Sequence, residues 1–396
     1  MHFSIRVSDG VSPTGGVTVG CSQLQIPSFI VVTKRGTQGR LGADLNVFSS
    51  WFYSRRQLFM LKFFQLPCLL FSGTLLAASG WSVSDFALLS QQAKAELAGR
   101  PAFRGSAVLM QGKTMLWQYQ QGAASQGEPF TAHTAFFVGS VSKTLTAILV
   151  MQQVQAGVLD LQAPVKRYLP ELKQPWAASV RLADLLSHGS GLVDISTQQD
   201  YSQFRYHNLN FQLLGQILTA VTQRPYAELA DQVLQQCQMT QAGFADKAAD
   251  ATGGWHEEQG QLKAISGFMP VEAEPSGGLI ASAAEVALLP WCMQQQLSKT
   301  SVQQMTTAKL RRQHRWGRVY YGYGVQVAET TAGPEWSHGG YIPGYVSVFN
   351  HFPEQQLTLV VLENQSLDPA DFARAAYYHD SLRETLIKIL SQNPKG

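Results

Sequence analysis

The hydrophobic pattern of the chain places strand-like segments near both ends and helix-like segments between them. Apolar residues spaced for one helical face predict a helix over 83–98. Two short apolar segments, 104–110 and 114–119, then predict a β-hairpin. An almost uniformly apolar segment over 140–156 predicts a buried helix. The N-terminal part thus supplies two strands before the first buried helix.

The rest of the chain continues this division. Short helices are predicted in the middle, over 180–186, 209–221, 226–236 and 285–296. Strands follow over 323–327, 335–338, 345–351 and 356–362, and an amphipathic helix over 369–390. We therefore expect an α+β fold in which strands from both ends form one antiparallel sheet flanked by helices. A helical subdomain, inserted over roughly 141–300, would lie between those strands.

The first eighty residues differ from the remainder. Met60 and Lys62 precede an apolar run over 63–76, which is too short for a comfortable membrane span. Small residues follow over 77–80. This order is typical of a secretory signal peptide, which we favour over a buried helix or an uncleaved anchor.

Export has consequences for the domain organisation. We expect residues 60–80 to be the signal peptide and Met60 to be the true start, so residues 1–59 would be a non-native upstream extension. One domain over 81–396 would then be periplasmic or secreted. N-terminal sequencing of the precursor tests this hypothesis.

Composition and cysteine content exclude several functions. The chain is 45% hydrophobic and 14% charged, which is too apolar for a disordered protein. Its net charge of +3, without a basic block after the signal segment, gives no electrostatic footprint for nucleic acid. Cys237 and Cys292 lie in apolar, helix-like segments, which favours buried thiols, although an oxidising compartment permits a bridge. Neither has metal-ligand spacing, so we expect no zinc and no other cofactor.

The first chemical motif is Ser140-Val141-Ser142-Lys143, the only Ser-x-x-Lys in the chain. Three residues along a helix place both end residues on one face. A serine hydroxyl needs an adjacent base to act as a nucleophile, and a lysine kept neutral by burial can serve. A helix cap followed by a surface lysine is the alternative. The apolar helix that follows favours a buried Lys143 and the catalytic interpretation.

The second motif, Tyr206-His207-Asn208, is the only Tyr-x-Asn and precedes a predicted helix. A phenol beside a lysine can relay a proton, and an asparagine amide can orient a substrate carbonyl. Asn208 is equally suited to cap the helix, with Tyr206 as a packing residue. By itself this motif is weak evidence for a site.

The third motif, His338-Gly339-Gly340, is the only His-x-Gly, and Tyr341 follows it. Glycines let a substrate lie against a strand edge, because no Cβ blocks the approach. A backbone N–H just beyond could complete an oxyanion hole with the N–H of Ser140. The alternative is a glycine-rich turn with a surface histidine.

The order of these three motifs resembles the class C β-lactamase superfamily, which includes penicillin-binding DD-peptidases and β-lactamase-fold carboxylesterases. The resemblance covers roughly residues 84–390, and further matching segments lie at 136–144, 185–192, 275–282 and 321–325. It implies a β-lactamase/transpeptidase-like fold with an antiparallel sheet of the five-stranded type and a site between sheet and helical subdomain.

The resemblance also implies the roles of the motif residues. Ser140 would be the nucleophile, with Lys143 and Tyr206 as the proton-transfer pair. Asn208 and the strand residues His338, Gly339, Gly340 and Tyr341 would bind substrate. His338 stands where lactamases of this type carry a lysine, and the segment before Tyr206 is short. Both departures favour an esterase-like hydrolase over an efficient lactamase.

Several functions remain open. A D-stereospecific peptidase, a DD-peptidase and a weak β-lactamase would all use acyl transfer through Ser140. A non-catalytic cell-envelope binding relative is a fourth possibility, which the presence of all three motif residues disfavours. The α/β-hydrolase alternative fails because the chain has no Gly-x-Ser-x-Gly. The expected partner is a small ester, amide or peptide, with no nucleic acid and no stable membrane insertion once the signal is removed.

Overall fold

An eight-stranded antiparallel sheet forms the centre of the protein in a computed structural model that describes residues 81–124, 127–265 and 269–392. The predicted signal peptide (60–80) and upstream extension (1–59) lie outside the described residues. The strands are β1 (Gly105–Gln111), β2 (Thr114–Gln121), β3 (Ala135–Phe137), β4 (Gly254–Glu258), β5 (Gln261–Ile265), β6 (Ile280–Ser282), β7 (Leu310–His314), β8 (Gly317–Tyr321), β9 (Gln326–Thr330), β10 (Gly333–Ile342), β11 (Tyr345–Phe352), β12 (Leu357–Glu363) and β13 (Gln365–Ser366).

The order of the large sheet is β2-β1-β12-β11-β10-β9-β8-β7. Strand β1 from the N-terminal part pairs with β12 from the C-terminal part, with Ala107 opposite Val361. The prediction that both ends of the chain form one antiparallel sheet is therefore confirmed. The small strands form two further sheets, β13-β4-β5 and β3-β6.

The sheet is wider than the five strands that the resemblance implied. Strands β7 and β8 were not predicted, because the segment Leu-Arg-Arg-Gln-His of β7 alternates between exposed and half-buried positions at the sheet edge. Strand β9 begins at Gln326 and not at residue 323. Gly324, with φ of 72°, forms a turn there that ends the apolar segment before the strand begins.

The helices lie mainly in the middle of the chain and after the last strands. Among the described residues, none is long and apolar enough to cross a bilayer. They are α1 (Val83–Ala93), α2 (Ser142–Gln155), α3 (Leu182–Leu186), α4 (Leu209–Thr222), α5 (Tyr226–Gln236), α6 (Glu274–Gly277), α7 (Ala283–Val286), α8 (Leu289–Gln296), α9 (Lys299–Thr306), α10 (Phe372–Ala375) and α11 (Tyr377–Gln392).

Helix α2 is the centre of the helical part. Its first ten residues, Ser142 to Met151, are all buried, which confirms the predicted buried helix. The helix does not begin at Ser140, however. Residues Gly139–Val141 form a 3₁₀ turn that leads into it. Ser140 is therefore held at the helix N-terminus, where the helix dipole favours negative charge.

The two faces of the large sheet carry different cores. Alternate side chains such as Val108 and Val360 pack against the helical part around α2. Their neighbours Ala107 and Val361 point to the opposite face, into a second core shared with α1 and α11. At that second face Arg383 of α11 forms a buried ion pair with Glu335 of β10, at 2.5 Å.

Cys237 and Cys292 form a disulfide, so the expectation of buried thiols is corrected. Cys237 caps the C-terminus of α5 and Cys292 lies in α8, and both side chains are fully buried. Both helices pack against α2, and this shared packing brings the two Cα atoms to 5.3 Å across 55 residues of sequence. Neither apolar segment contains a signal for that juxtaposition.

Candidate active site

Ser140, Lys143 and Asn208 meet where the first turn of α2 faces the segment before α4. The Lys143 Nζ lies 3.0 Å from the Ser140 Oγ. It donates hydrogen bonds to the Asn208 Oδ1 at 2.8 Å and to the Ser276 backbone carbonyl at 2.5 Å. The three-residue spacing in the first motif therefore brings the two groups together, as helical geometry requires.

The environment of Lys143 favours the neutral amine. Its side chain is fully buried, and burial lowers its pKa well below the usual value. A neutral amine has two N–H groups and one lone pair. The Asn208 Oδ1 and the Ser276 carbonyl only accept, so they engage both N–H groups. The lone pair then faces the Ser140 hydroxyl, as a general base requires.

Tyr206 presents its hydroxyl to the same serine. The hydroxyl is within hydrogen-bonding reach of the Ser140 side chain, and the Lys143 Nζ lies 4.9 Å from the centre of the ring. Burial raises the pKa of Tyr206 to about 12, against the opposing effects of the Ser140 hydrogen bond and the Arg312 charge. The phenol therefore keeps its proton near neutral pH and can donate it.

His188 supports Tyr206 from behind. The two ring centres are 4.3 Å apart, and His188 is fully buried. Its Nδ1 lies 2.9 Å from the Asn210 amide nitrogen, and burial lowers the pKa of the imidazole well below its usual value. A neutral ring therefore packs beside Tyr206 and fixes its position. His188 was noticed only as part of a matching segment, without a role.

Asn208 occupies the cap position before α4, but its side chain makes no cap hydrogen bond. The amide oxygen instead accepts from Lys143. Because the oxygen faces the lysine, the amide nitrogen is directed away from it, and Asn208 lines the cavity beside Ser140. The capping alternative is thus correct for the backbone of Asn208 and does not describe its side chain.

The glycines of the third motif allow β10 to touch the turn that carries Ser140. A Cβ at Gly340 would lie 2.2 Å from the Val138 carbonyl oxygen and 3.0 Å from the Ser140 nitrogen. A Cβ at Gly139, whose φ is 53°, would lie 3.4 Å from the Tyr341 nitrogen. The backbones around Ser140 and Tyr341 are therefore in direct contact. Strand β9 pairs with β10 only up to Ser337, so within the described part of the chain the edge beyond it has no partner strand.

His338 does not lie on the cavity wall, although the sequence analysis expected it to bind substrate. Its side chain is 1% exposed, and its Nε2 lies 2.7 Å from the Tyr321 hydroxyl. Burial lowers the pKa of His338 to about 3. The alternation of β10 directs His338 into the core and turns Gly339 and Tyr341 to the opposite face. Gly339, Gly340 and Tyr341 all line the cavity.

A cavity of about 290 Å³ opens beside Ser140, Tyr206 and Asn208. Arg312 of β7 lines it, half-buried, and its Nη1 donates to the Gln326 Oε1 at 3.1 Å. Within the described residues no carboxylate forms an ion pair with Arg312, and no Asp or Glu lines the cavity. Sequence analysis missed this arginine, because an Arg-Arg pair in a polar segment indicates a solvated surface.

The described part of the chain contains no group of three or more His, Cys, Asp or Glu residues suited to hold a metal ion. Ser276 is the other contributor that carried no predicted role. It lies in the matching segment 275–282, but it contacts Lys143 through its backbone carbonyl, and no side-chain pattern reveals such a contact.

Comparison with known proteins agrees with this architecture. The family model described as Beta-lactamase matches residues 93–384. A beta-lactamase of Providencia stuartii is 29% identical over 147 residues, 32% of this chain and 38% of that protein. The putative penicillin-binding protein PbpX of Bacillus subtilis is 25% identical over 261 residues, 58% of this chain and 61% of that protein. The chain thus spans less than two thirds of the length of both relatives.

Among solved structures, the D-amino acid amidase of Ochrobactrum anthropi SV3 superposes with a TM-score of 0.68 at 17% identity. The superposition covers 77% of this chain and 99% of the amidase. At that identity the likeness concerns the fold alone. Since the family model covers most of the chain, the protein belongs to the beta-lactamase family.

Proposed function

We propose that the protein hydrolyses small esters and amides through an acyl-enzyme on Ser140, with esterase-like substrates preferred. The observation that carries the proposal is the 3.0 Å contact between the Ser140 Oγ and a buried Lys143 amine whose two N–H groups are already engaged. A nucleophile, its base and a second proton carrier then lie at one cavity mouth.

The reaction follows from these contacts. As the Ser140 Oγ bonds to the substrate carbonyl carbon, its proton passes to the Lys143 Nζ. The backbone N–H groups of Ser140 and Tyr341 would donate hydrogen bonds to the developing oxyanion. When the intermediate collapses, the bond to the leaving group breaks, and that group takes a proton through Tyr206. Water then attacks the acyl carbon and gives a proton to the Lys143–Tyr206 pair. The bond from that carbon to the Ser140 Oγ breaks, and the pair returns the proton to Oγ as the acid leaves.

The buried state of His338 supports an esterase-like preference over efficient β-lactam hydrolysis. A lysine at this position of related lactamases helps to hold the β-lactam carboxylate. Here the imidazole is buried, neutral and hydrogen-bonded to the Tyr321 hydroxyl, so it supplies no charge to the cavity. A neutral ester needs none.

Arg312 favours a second candidate, a D-stereospecific or DD-peptidase with weak β-lactamase activity. Its guanidinium lies 5.7 Å from the Tyr206 ring and lacks an ion-pair partner among the described residues. Guanidinium groups bind carboxylates in a two-point geometry. A peptide with a free terminal carboxylate would satisfy this cation, whereas a neutral ester would not.

We further propose that the mature enzyme spans residues 81–396 and is exported to the periplasm or secreted. The Cys237–Cys292 disulfide supports this, since such bonds persist in oxidising compartments. The non-catalytic envelope-binding alternative has little support, because a scaffold has no need for a buried lysine beside an accessible serine.

The test uses the purified full chain with p-nitrophenyl acetate, nitrocefin and a peptide ending in D-Ala-D-Ala, each followed with wild type, Ser140→Ala and the exposed-serine control Ser196→Ala. We expect acetate turnover, an acetyl adduct on Ser140 by intact mass, and loss of both only in Ser140→Ala. Peptide turnover above ester turnover would promote the second candidate. No turnover and no adduct with any substrate would refute the proposal.

A further inference from the structure

The cavity does not end at the catalytic groups. Beyond the unpaired edge of β10 it continues to the face of the sheet that α10 and α11 cover. We call this far part the apolar chamber; its apolar lining residues are Trp316, Val346, Val348, Phe372, Ala375 and Ala376, and the neighbouring His314, Arg315 and His379 also line the cavity. The proposed acyl transfer uses none of these residues.

The register of β10 and β11 creates the opening to the chamber. Gly339 lies opposite Val348, so this valine faces a position without a side chain, whereas Val346 lies opposite Tyr341. A Cβ placed on Gly339 would find only the Ser347 carbonyl oxygen within 4 Å, at 3.6 Å. The space above Gly339 is therefore empty, and it joins the chamber to the edge that faces Ser140.

The tip of the β7–β8 hairpin forms the roof of the chamber. The Trp316 Nε1 donates to the Asp380 Oδ1 of α11 at 2.8 Å, and the Arg383 guanidinium lies 4.0 Å from the Trp316 ring. Arg315 binds both carboxylate oxygens of Asp380 at 2.5 Å and lies 4.4 Å from the Phe372 ring. These contacts hold the aromatic walls in place before any ligand arrives.

The charges around the chamber are already balanced. Arg315 is paired with Asp380, and the opposite wall consists of valine and alanine side chains. The unpaired cation Arg312 lies at the other end, near Tyr206. A preformed, apolar space beside a polar reaction centre is the usual form of a subsite that binds part of a small ligand.

We propose that the chamber binds an apolar group, an aliphatic chain or an aromatic side chain, carried on the acyl part of the substrate. This inference rests on the proposed acyl-enzyme at Ser140. The acyl part stays bonded to the serine after the leaving group has gone, so the chamber can hold it through both halves of the reaction. The leaving group must instead escape before water attacks.

The test measures kcat/KM for p-nitrophenyl acetate, butyrate, hexanoate and phenylacetate. Each methylene buried in the chamber is expected to raise kcat/KM up to about fourfold. Ala375→Leu fills the chamber and should abolish the gain from acetate to hexanoate, a loss of about tenfold or more in that ratio. Ala373→Leu is the matched control, because this alanine lies on the same helix, is exposed and does not line the cavity.

Phe372→Ala provides a second variant if the larger side chain at position 375 prevents folding. Its ring is 47% exposed, so its removal should be tolerated, and the hexanoate-to-acetate ratio should fall by several-fold. A flat wild-type series, or ratios that both variants leave unchanged, would overturn the chamber proposal while acetate turnover keeps the proposed function. Absence of any acyl adduct on Ser140 would instead overturn both.

Discussion

The two walls of the cavity differ in how their polar groups are satisfied. On the helical wall, Lys143 is fully buried, and its amine contacts Ser140, Asn208 and a backbone carbonyl. On the sheet wall, β10 has an edge without a partner strand, and Arg312 has no carboxylate partner among the described residues. The helical wall is complete before substrate arrives, whereas the sheet wall leaves groups for the substrate to satisfy.

This difference suggests that the two walls have different roles in the reaction. Groups that move protons need fixed distances and a shifted pKa, which burial in a packed helix supplies. Groups that recognise substrate need unsatisfied hydrogen-bonding capacity, which an open strand edge supplies. Changes to the helical wall should therefore lower kcat or stability, and changes to the sheet wall should mainly alter KM and selectivity.

The largest effect is expected from Lys143→Ala. Removing the base should lower kcat by about 10²–10⁴-fold with KM for p-nitrophenyl acetate nearly unchanged, because general-base catalysis contributes on that order. Steady-state kinetics, with circular dichroism to verify folding, measures this. Lys173→Ala is the control, because Lys173 is exposed. A kcat within threefold of wild type would remove Lys143 from the mechanism.

Loss of the Cys237–Cys292 bridge should be the next largest effect, on stability and not on chemistry. A bridge across 55 residues restricts the unfolded chain, and its removal should lower the free energy of unfolding by about 2–4 kcal/mol. Urea unfolding of the Cys237→Ala/Cys292→Ala variant measures this, with kcat at 20 °C near wild type. If wild-type stability is insensitive to reducing agent, the bridge does not stabilise the helical wall.

Arg312→Gln should change recognition on the sheet wall. For a peptide or β-lactam that carries a carboxylate, KM should rise by about 10–100-fold, as expected for a lost hydrogen bond to a charged group. The KM for p-nitrophenyl acetate should stay within about twofold. Arg311→Gln, an exposed neighbour on the same strand, is the matched control. Equal loss for charged and neutral substrates would show that Arg312 has only a structural role.

The smallest change should come from raising the pH above neutrality. The proposed mechanism requires a neutral Lys143. Because burial lowers its pKa well below the usual value, kcat should rise as the pH passes that lowered pKa and should then level off. Tyr206, with its pKa raised to about 12, should keep its proton throughout. A pH–rate profile from 5 to 10 should therefore be flat within about twofold between pH 8 and 10.

A continued tenfold rise in kcat per pH unit up to pH 10 would contradict this expectation, because it would assign Lys143 its ordinary pKa. The same profile for Arg312→Gln provides a comparison across the cavity. If the acid limb of that variant coincides with that of wild type, the pKa of the proton-transfer pair is determined by the helical wall alone.

The sequence was informative where chemistry depends on near neighbours. Ser140 and Lys143 are three residues apart on a helical segment, so their contact follows from helix geometry. Helix α5 was predicted with its observed bounds, 226–236. Segments whose structure depends on distant partners were harder to predict. Strands β7 and β8 lie at a sheet edge, where a polar alternating pattern is enough to form a strand, and neither was predicted.

His338 shows, within the candidate site, the same dependence of structure on distant partners. The His-x-Gly motif located the right strand, but the face on which the imidazole lies depends on strand register, since a shift of one residue reverses every side chain. The register of β10 against β11 directs His338 toward Tyr321 and leaves Gly339 at the cavity. Arg312 reaches that cavity from the edge strand β7, three strands away from β10 in the sheet, which no local pattern could indicate.

The sequence by itself determined the α+β architecture, the buried helix after Ser140 and the order of the three motifs, because periodicity and short spacings act over one or two turns of chain. Only the tertiary structure decided which distant groups meet. Packing on α2 joined Cys237 to Cys292, and sheet register buried His338. The approach of the β7–β8 hairpin to α11 formed the apolar chamber. Each of these contacts closes a loop of many residues, so it is fixed by the collective packing of the whole fold and not by any local pattern.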